Sequence, residues 1–219
     1  MELKQGNCLE LMKELADESI DCIITDPPYF IPSVHYQTRK QFRRNIVDLS
    51  LVDSFFQAIS KELERIMKKD GVIYMFCDGQ SYPIFWVNLY PMCKNVRELV
   101  WDKKTSINGY SWRHQHELIL FAEMPEAKPI PSGDGDILRG SAVKIDNRQH
   151  PAEKPIWLLE ELIKKSTKEK ATILDPFMGS GTTGIACKNL NRRFVGFELS
   201  PEYFKIAERR LNTETKLWV

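Results

Sequence analysis

The chain of 219 residues lacks several features that would assign it to a class at once. Its five cysteines (Cys8, Cys22, Cys77, Cys93 and Cys187) form no Cys-x-x-Cys pair, which argues against a disulfide framework and against a structural zinc site. No apolar run approaches the roughly 20 residues of a membrane span, and the first residues have no basic and apolar leader. We therefore expect a cytoplasmic protein with reduced cysteines and no membrane partner.

The chain also lacks an excess of charge of either sign. Its formal net charge is +1, so any contact with nucleic acid must come from local basic clusters. Hydrophobic residues make up 42% of the chain, and there is no internal repeat or low-complexity tract. This length and composition allow one large core, and we expect a single domain over residues 1–219.

Apolar runs alternate with stretches of helical periodicity, a pattern typical of a wound α/β sheet. Strands are predicted over 20–25, 72–77, 172–175 and 194–198, and the runs 96–101 and 117–122 are expected to pair as a long antiparallel hairpin. A helix over 51–69 is expected to end at Asp70-Gly71. The stretch 123–150 is rich in Pro, Gly and Asp, which predicts a loop-dominated insert.

The most informative segment is Asp26-Pro27-Pro28-Tyr29, directly after the strand predicted over 20–25. It combines a carboxylate, two residues that lack an N–H and an aromatic ring, which suits the binding of a flat ring that carries an amine. Taken alone, the segment is also consistent with a rigid turn.

A second segment, Asp175 to Thr183, follows another predicted strand. Its glycines, Gly179 and Gly181, permit positive φ and a close approach of a ligand, and the next helix offers free N–H groups to an anion. The lysine of a phosphate loop and the third glycine of a dinucleotide loop are both missing. A nucleoside that carries a carboxylate therefore fits as well as a phosphate.

Glu198 ends the strand that follows the segment Asp175 to Thr183, which we call the glycine segment. Its spacing from Asp175 is close to that of the acid that binds ribose in nucleotide sites. Taken alone, Glu198 is equally well explained as an exposed acid in a turn, whereas together with the glycine segment the ribose role is favoured.

Together these segments resemble the S-adenosylmethionine-dependent amino-methyltransferases of DNA. The resemblance rests on DPPY at Asp26–Tyr29, on DPFMGSGTT from Asp175 and on the acid of FVGFE, and it spans nearly the whole chain. The order, with DPPY first and the glycine segment last, resembles the permuted β class. The segments 150–155 (HPAEKP) and 116–121 (HELILF) resemble that class's HPxxKP segment and the strand beside its target-base pocket.

The resemblance implies a fold and a domain organisation. We expect a Rossmann-like, doubly wound, mostly parallel seven-stranded sheet with one antiparallel strand, in the circularly permuted methyltransferase order. The chain would be one methyltransferase domain with a short target-recognition insert at about 123–149. Such a short insert suggests a short recognition sequence, weak specificity or help from a second subunit, as in a homodimer.

The resemblance further implies S-adenosylmethionine as the cofactor. Glu198 would hold its ribose, Lys154 would approach its carboxylate, and Asn7, where the family usually has Asp, would accept from its adenine amine through the amide carbonyl. The implied cofactor-binding residues are Asn7, Cys8, Lys154, Asp175, Pro176, Phe177, Gly179, Ser180, Gly181, Thr182, Thr183 and Glu198.

The implied catalytic residues are Asp26, Pro27, Pro28 and Tyr29. The target amine is a poor nucleophile because its lone pair is delocalised into the base. The Asp26 carboxylate and the Pro27 carbonyl can accept both amine hydrogens, which favours a tetrahedral nitrogen aimed at the methyl group. The prolines preorganise these acceptors, and Tyr29 offers a stacking face to a flipped base.

We expect adenine N6 in DNA to be the target, because the family's cytosine-N4 members more often begin the motif with serine. Cytosine N4 is the close alternative. A protein that binds cofactor or DNA without turnover is a second alternative, supported by Asn7 alone. A restriction-modification system is one setting for such an enzyme.

Basic residues indicate where DNA would lie. The predicted DNA-binding residues are Arg39, Lys40, Arg43, Arg44, Lys103, Lys104, Arg113, Arg139 and Arg148. For any one of them a solvated charged face is an equally good explanation. His114 and His116 have the spacing of a metal pair but no third ligand, so no metal site is predicted.

Overall fold

The protein forms an α/β structure around one eight-stranded sheet. The computed structural model describes residues 1–28, 49–105, 112–128, 134–144, 146, 148–150 and 152–213. The helices of the described part include none that is long and apolar enough to cross a membrane.

The strands of the sheet are β1 (Glu2–Gln5), β2 (Ile20–Thr25), β3 (Met67–Cys77), β4 (Asn95–Asp102), β5 (His116–Glu123), β6 (Ile137–Arg139), β7 (Thr172–Asp175) and β8 (Arg193–Glu198). Their order across the sheet is β1-β8-β7-β2-β3-β5-β4-β6. β5 runs antiparallel to both neighbours, and the other pairs are parallel. The predicted wound sheet with one antiparallel strand is confirmed, and so is the β4–β5 hairpin.

The helices are α1 (Cys8–Met12), α2 (Leu49–Ile66), α3 (Tyr82–Leu89), α4 (Ile156–Ser166), α5 (Thr182–Asn189) and α6 (Pro201–Asn212). They cover both faces of the sheet and create two apolar cores. One core contains buried residues of α1, α2 and α3, and the other contains buried residues of α4, α5 and α6. Successive residues of β2 alternate between the cores, as the period of a strand requires, with Ile23 in the first and Ile24 in the second.

In the described ranges the sheet has eight strands where seven were predicted. The strands without an apolar run to reveal them are the edge strands β1 and β6, of four and three residues. β6 also places a regular element inside the stretch predicted to be loop-dominated. These short strands are stabilised by pairing with a neighbouring strand. β1 pairs with β8, and β6 pairs with β4.

The prediction that Asp70-Gly71 ends the second helix is wrong. α2 ends at Ile66, and the chain passes directly into β3, which contains both residues. The register between β2 and β3 shifts beside them, between Ile20 and Cys22. A Cβ on Gly71 would lie 2.9 Å from the Asp21 carbonyl oxygen, so this glycine serves the close approach of two strands and does not end a helix.

Candidate functional site

The two predicted motifs meet at the carboxyl edge of the sheet. Asp26 follows β2, Asp175 ends β7 and Glu198 ends β8, and these parallel strands are consecutive in the order β8-β7-β2. Because β5 is antiparallel, its first residues reach the same edge and bring Glu117 there. The topology thus gathers four carboxylates at the place where wound sheets bind their ligands.

Asp26 is held by a buried lysine. Lys154 Nζ donates to Asp26 Oδ2 at 2.6 Å and lies 4.8 Å from the centre of the Phe76 ring. The Lys154 side chain is only 8% exposed. The other oxygen of the carboxylate, Asp26 Oδ1, is buried and has no hydrogen-bond partner among the described residues. An acceptor in that condition carries a substantial desolvation cost until a donor reaches it.

Two further charges extend this contact. Glu117 Oε2 lies 3.2 Å from Lys154 Nζ, within ion-pair distance but without hydrogen-bond geometry. Lys103 Nζ lies 2.5 Å from Glu117 Oε1. Burial raises the pKa of Asp26 above its usual value, and Lys154 offsets that only in part. Burial also acts on Glu117, but Lys154 and Lys103 hold its pKa below the usual value. In the same way Asp26 and Glu117 keep the pKa of Lys154 raised against burial.

The glycine segment is organised around Asp175. One carboxylate oxygen accepts from the Thr25 hydroxyl at 2.9 Å and from the Phe177 N–H at 3.1 Å, and the other accepts from the Thr183 hydroxyl at 2.7 Å. Burial raises the pKa of Asp175 to about 6 despite these bonds. Both oxygens are thus committed to the protein, and Asp175 fixes the segment from within.

The glycines play the conformational role predicted for them. Gly179 has φ +52° and Gly181 has φ +81°, which only glycine adopts readily. Gly181 is the N-cap of α5, and a Cβ there would lie 2.9 Å from Ala207 Cβ of α6. The turn therefore depends on glycine both for its backbone angles and for its packing.

Glu198 is positioned by backbone donors. Its two oxygens accept from the Gly179 N–H at 3.0 Å and from the Ser200 N–H at 2.7 Å. Each carboxylate oxygen has two lone pairs, so both can accept a further hydrogen bond. The residue is half-exposed and therefore accessible to a ligand.

The segment around Asn7 joins the same edge through β1. The Gly6 N–H donates to the Glu198 carbonyl at 3.0 Å, and the Asn7 side-chain oxygen caps α1 by accepting from the Leu9 N–H at 3.0 Å. The Cys8 thiol is buried in the core, and burial raises its pKa to about 11. A ligand can meet Asn7 through its amide N–H₂ and through the second lone pair of its amide oxygen, and Cys8 only through its backbone.

One cleft joins the two motifs. The predicted residues that line it are Asp26, Lys154, Asp175, Phe177, Gly179, Ser180, Thr182 and Thr183. Asn7, Cys8, Pro176, Gly181 and Glu198 do not line that cleft. Pro27 is buried and Pro28 is exposed beside it, whereas Tyr29 lies outside the described residues. Phe76 and Glu153 also line the cleft.

Sequence reasoning missed a clamp on the glycine segment. Arg210 of α6 donates to the Ser180 carbonyl at 2.9 Å, to the Ser180 hydroxyl at 2.8 Å and to Glu153 at 2.8 Å. Glu153 also accepts from the Thr182 hydroxyl at 3.3 Å. Arg210 lies in an ordinary amphipathic helix, so no local pattern marks it.

The predicted DNA-binding residues fall into three groups. Arg39, Lys40, Arg43 and Arg44 lie outside the described residues. Lys104, Arg113 and Arg139 are exposed, and the same edge carries Trp112, which is 97% exposed. Lys103 and Arg148 make contacts within the protein, since Lys103 pairs with Glu117 and Arg148 donates to the Val143 carbonyl at 2.9 Å.

The histidine pair has no further ligand nearby in the described ranges. The rings of His114 and His116 are 6.4 Å apart, and the described residues include no group of three His, Cys, Asp or Glu that could hold a metal ion.

Comparison with known proteins agrees with this geometry. A family model described as DNA methylase matches residues 20–209. The putative methylase YubD of Escherichia coli K12 is 33% identical over 214 residues, which cover 94% of this chain and 88% of YubD. The type II methyltransferase M2.DpnII of Streptococcus pneumoniae is 30% identical over 249 residues, which cover 99% of this chain and 91% of that protein. Among solved structures, the M1.HpyAVI–SAM complex superposes with a TM-score of 0.77 at 26% identity and covers 97% of this chain and 99% of that one.

Proposed function

This chain belongs to the DNA methylase family, and from that membership we propose that it transfers a methyl group from S-adenosylmethionine to the N6 amine of adenine in DNA. The predicted class, a DNA amino-methyltransferase, is confirmed by the family match. DNA is accordingly its substrate. The observation that carries the proposal is the buried Asp26 Oδ1, which has no partner in the part of the chain that the structure describes and lies in a cleft shared with the glycine segment.

The residues of the cleft, together with Glu198 beside it, fit the cofactor. Glu198 presents two oriented oxygens for a ribose diol, and the glycine segment allows close approach of the backbone beside the apolar side chains of Phe177 and Met178. When bound, that cofactor supplies a methyl group on a sulfonium, so that the amine lone pair forms the N–C bond while the S–C electrons stay on sulfur and one amine proton goes to solvent.

Asp26 would accept a hydrogen bond from the target amine. Its Oδ2 already accepts from Lys154, so Oδ1 is the oxygen available to an incoming N–H. Accepting that hydrogen directs the nitrogen lone pair away from the base ring. The cost of the unpartnered oxygen is relieved by the substrate itself, which favours binding of a base that carries an exocyclic amine.

The choice of adenine over cytosine rests on the first residue of the motif. Both bases carry an exocyclic amine, so Asp26 alone serves either. The members of this family that act on cytosine N4 more often have serine in place of Asp26, which favours adenine N6.

A direct test uses the protein with duplex DNA and methyl-labelled cofactor. Digestion of the product to nucleosides should give labelled N6-methyladenine, and the Asp26→Ala variant should give none while it still binds cofactor. Label in N4-methylcytosine alone, or no label with the wild type, contradicts the proposal.

The remaining assignments extend this function. We propose that residues 1–219 act as one methyltransferase domain, that the insert at about 123–149 contacts the recognition sequence and that a second copy of the chain extends the contact with DNA. Size-exclusion chromatography with light scattering, with and without duplex DNA, tests the homodimer. A restriction-modification setting and a cytoplasmic location stay predictions.

A further inference from the structure

Four side chains of alternating charge form a continuous row at the side of the cleft where Asp26 lies. They run from Lys103 through Glu117 and Lys154 to Asp26, with closest contacts of 2.5, 3.2 and 2.6 Å. Three strands and the segment before α4 supply them, since Lys103 follows β4, Glu117 lies in β5 and Asp26 follows β2. The contacts therefore depend on the packed sheet.

This row of charges is largely shielded from water. The exposed fraction of the side chain is 16% for Lys103, 23% for Glu117, 8% for Lys154 and 19% for Asp26. Salt and water screen such charges poorly, so each one acts strongly on its neighbours. The charges sum to zero, which lowers the cost of burying them together.

We propose that Glu117 is a positioning residue for methyl transfer, which holds the Lys154 ammonium on one oxygen of Asp26 and thereby leaves the other oxygen for the target amine. This inference deepens the proposed function and rests on it. Glu117 itself does not touch the reacting atoms.

The geometry explains why a second carboxylate is needed. A lysine that faced Asp26 alone could bridge both carboxylate oxygens and so block the amine. Glu117 lies 3.2 Å from the same ammonium and draws it to one side, so that the hydrogen bond goes to Oδ2 and Oδ1 has no partner within the described ranges. Lys103 in turn fixes Glu117 at 2.5 Å, which limits the swing of its side chain.

Glu117 also balances charge during the reaction. The amine becomes positively charged as it gains a methyl group, and Lys154 is a cation beside it. The negative charge of Glu117 offsets that repulsion in a site where water does little screening. Loss of this charge should therefore slow the transfer and leave ground-state binding little changed.

The test compares Glu117→Gln with a matched control on the same strand. Glu123 is also a buried acid of β5, but it bonds Asn95 at 2.8 Å and Arg97 at 3.2 Å at the other end of the strand. We expect Glu117→Gln to lower kcat on the order of tenfold to a hundredfold, with KM for DNA and the cofactor Kd near the wild-type values. Glu123→Gln should leave kcat unchanged, and Glu117→Asp should recover part of the loss.

A pH profile separates positioning from a merely structural role. Lys154 faces the carboxylates of Asp26 and Glu117 and the ring of Phe76. His150 lies in the same segment of the chain as Lys154. Removal of the charge of Glu117 takes away one of the two anions that raise the pKa of Lys154. The fall of kcat at alkaline pH, which follows deprotonation of Lys154, should therefore shift to lower pH in Glu117→Gln. In Glu123→Gln it should stay at the wild-type pH.

Each outcome decides the matter. A lower kcat with a shifted alkaline limb and partial recovery in Glu117→Asp supports the inference. An active wild type with a Glu117→Gln variant of equal kcat and equal pH profile overturns the inference alone. A loss that tracks a lower melting temperature and is matched by Glu123→Gln also overturns it. A wild type that transfers no methyl group overturns the proposed function and this inference with it.

Discussion

Two Asp-Pro pairs stand at the ends of the neighbouring strands β2 and β7, and their carboxylates are used in opposite ways. Asp175-Pro176 has both oxygens of its carboxylate bonded by Thr25, Thr183 and the Phe177 N–H. Asp26-Pro27 has one oxygen on Lys154 and the other without a partner among the described residues. The acid of the glycine segment is thus fully satisfied within the protein, and the acid of the proposed target site keeps one oxygen for a donor from outside.

On the proposed function, the same dipeptide at the same edge of a sheet serves structure at one strand and chemistry at its neighbour. A carboxylate surrounded by hydroxyl and N–H donors stabilises a loop. A carboxylate held on one side by a buried ammonium presents its second oxygen to a ligand. The partners of the acid, and not the acid itself, decide which role it has.

The largest expected effect comes from exchanging each acid for its amide. Asp26→Asn should lower kcat about 100- to 1000-fold, because the single amide oxygen is needed by Lys154 and the amide N–H₂, a donor, then faces the amine, while the cofactor Kd stays near the wild-type value. Asp175→Asn should mainly weaken cofactor binding, because it loosens the glycine segment. Single-turnover rates at saturating cofactor and calorimetric titration separate the two, and equal losses of kcat in both variants would remove the distinction.

The second effect is a dependence of stability on pH that comes from Asp175. Burial raises its pKa from 3.8 to about 6. Between these values the folded protein binds more protons than the unfolded chain, so the stability contributed by this group falls as the pH rises through about 4 to 6 and does not return above it. The fall is at most about 3 kcal/mol.

Urea unfolding from pH 4 to 8 measures this dependence. The Asp175→Asn variant should lack that component of the decline, while Asp26→Ala should keep it. A wild-type curve that rises steadily through the same window would contradict the assignment to Asp175.

A smaller effect concerns the clamp on the glycine segment. Arg210→Met removes the bonds to Ser180 and Glu153 and should weaken cofactor binding about tenfold, equal to about 1.4 kcal/mol, with kcat preserved at saturation. Arg209→Met is the matched control, because Arg209 is the exposed neighbour in α6. Equal cofactor Kd values for the two variants would show that the clamp has no part in binding.

The smallest effect is expected from the exposed residues that were predicted to bind DNA. Arg139 is exposed on β6 and has a long ion pair with Asp102 at 3.8 Å, whereas Arg148 donates to the Val143 carbonyl at 2.9 Å. Arg139→Ala should reduce the slope of log affinity against log salt by about 1. Arg148→Ala should leave this slope unchanged. An equal change of the slope in both variants would mean that Arg139 is only a solvated surface charge.

The sequence predicted the positions of both Asp-Pro pairs because β2 and β7 are rich in apolar residues and end at a polar one. The sequence did not predict which side chains bind these two acids. Lys154 and Asp26 are 128 positions apart in the chain. Glu117 reaches the site only because β5 runs antiparallel to its neighbours. Arg210 belongs to an ordinary surface helix. Such contacts depend on the strand order and on packing, which local patterns do not encode.

The pairing of β1 with β8 has a consequence for folding. Glu2 lies beside Val195, so the first strand of the chain pairs with one of its last elements. Contacts between such distant positions form slowly, because the intervening chain must first be ordered. During synthesis β1, with Asn7 just behind it, must wait for β8 to emerge. We therefore expect the N-terminal segment to dock late, and the part of the candidate site around Glu198 to be the last to assemble.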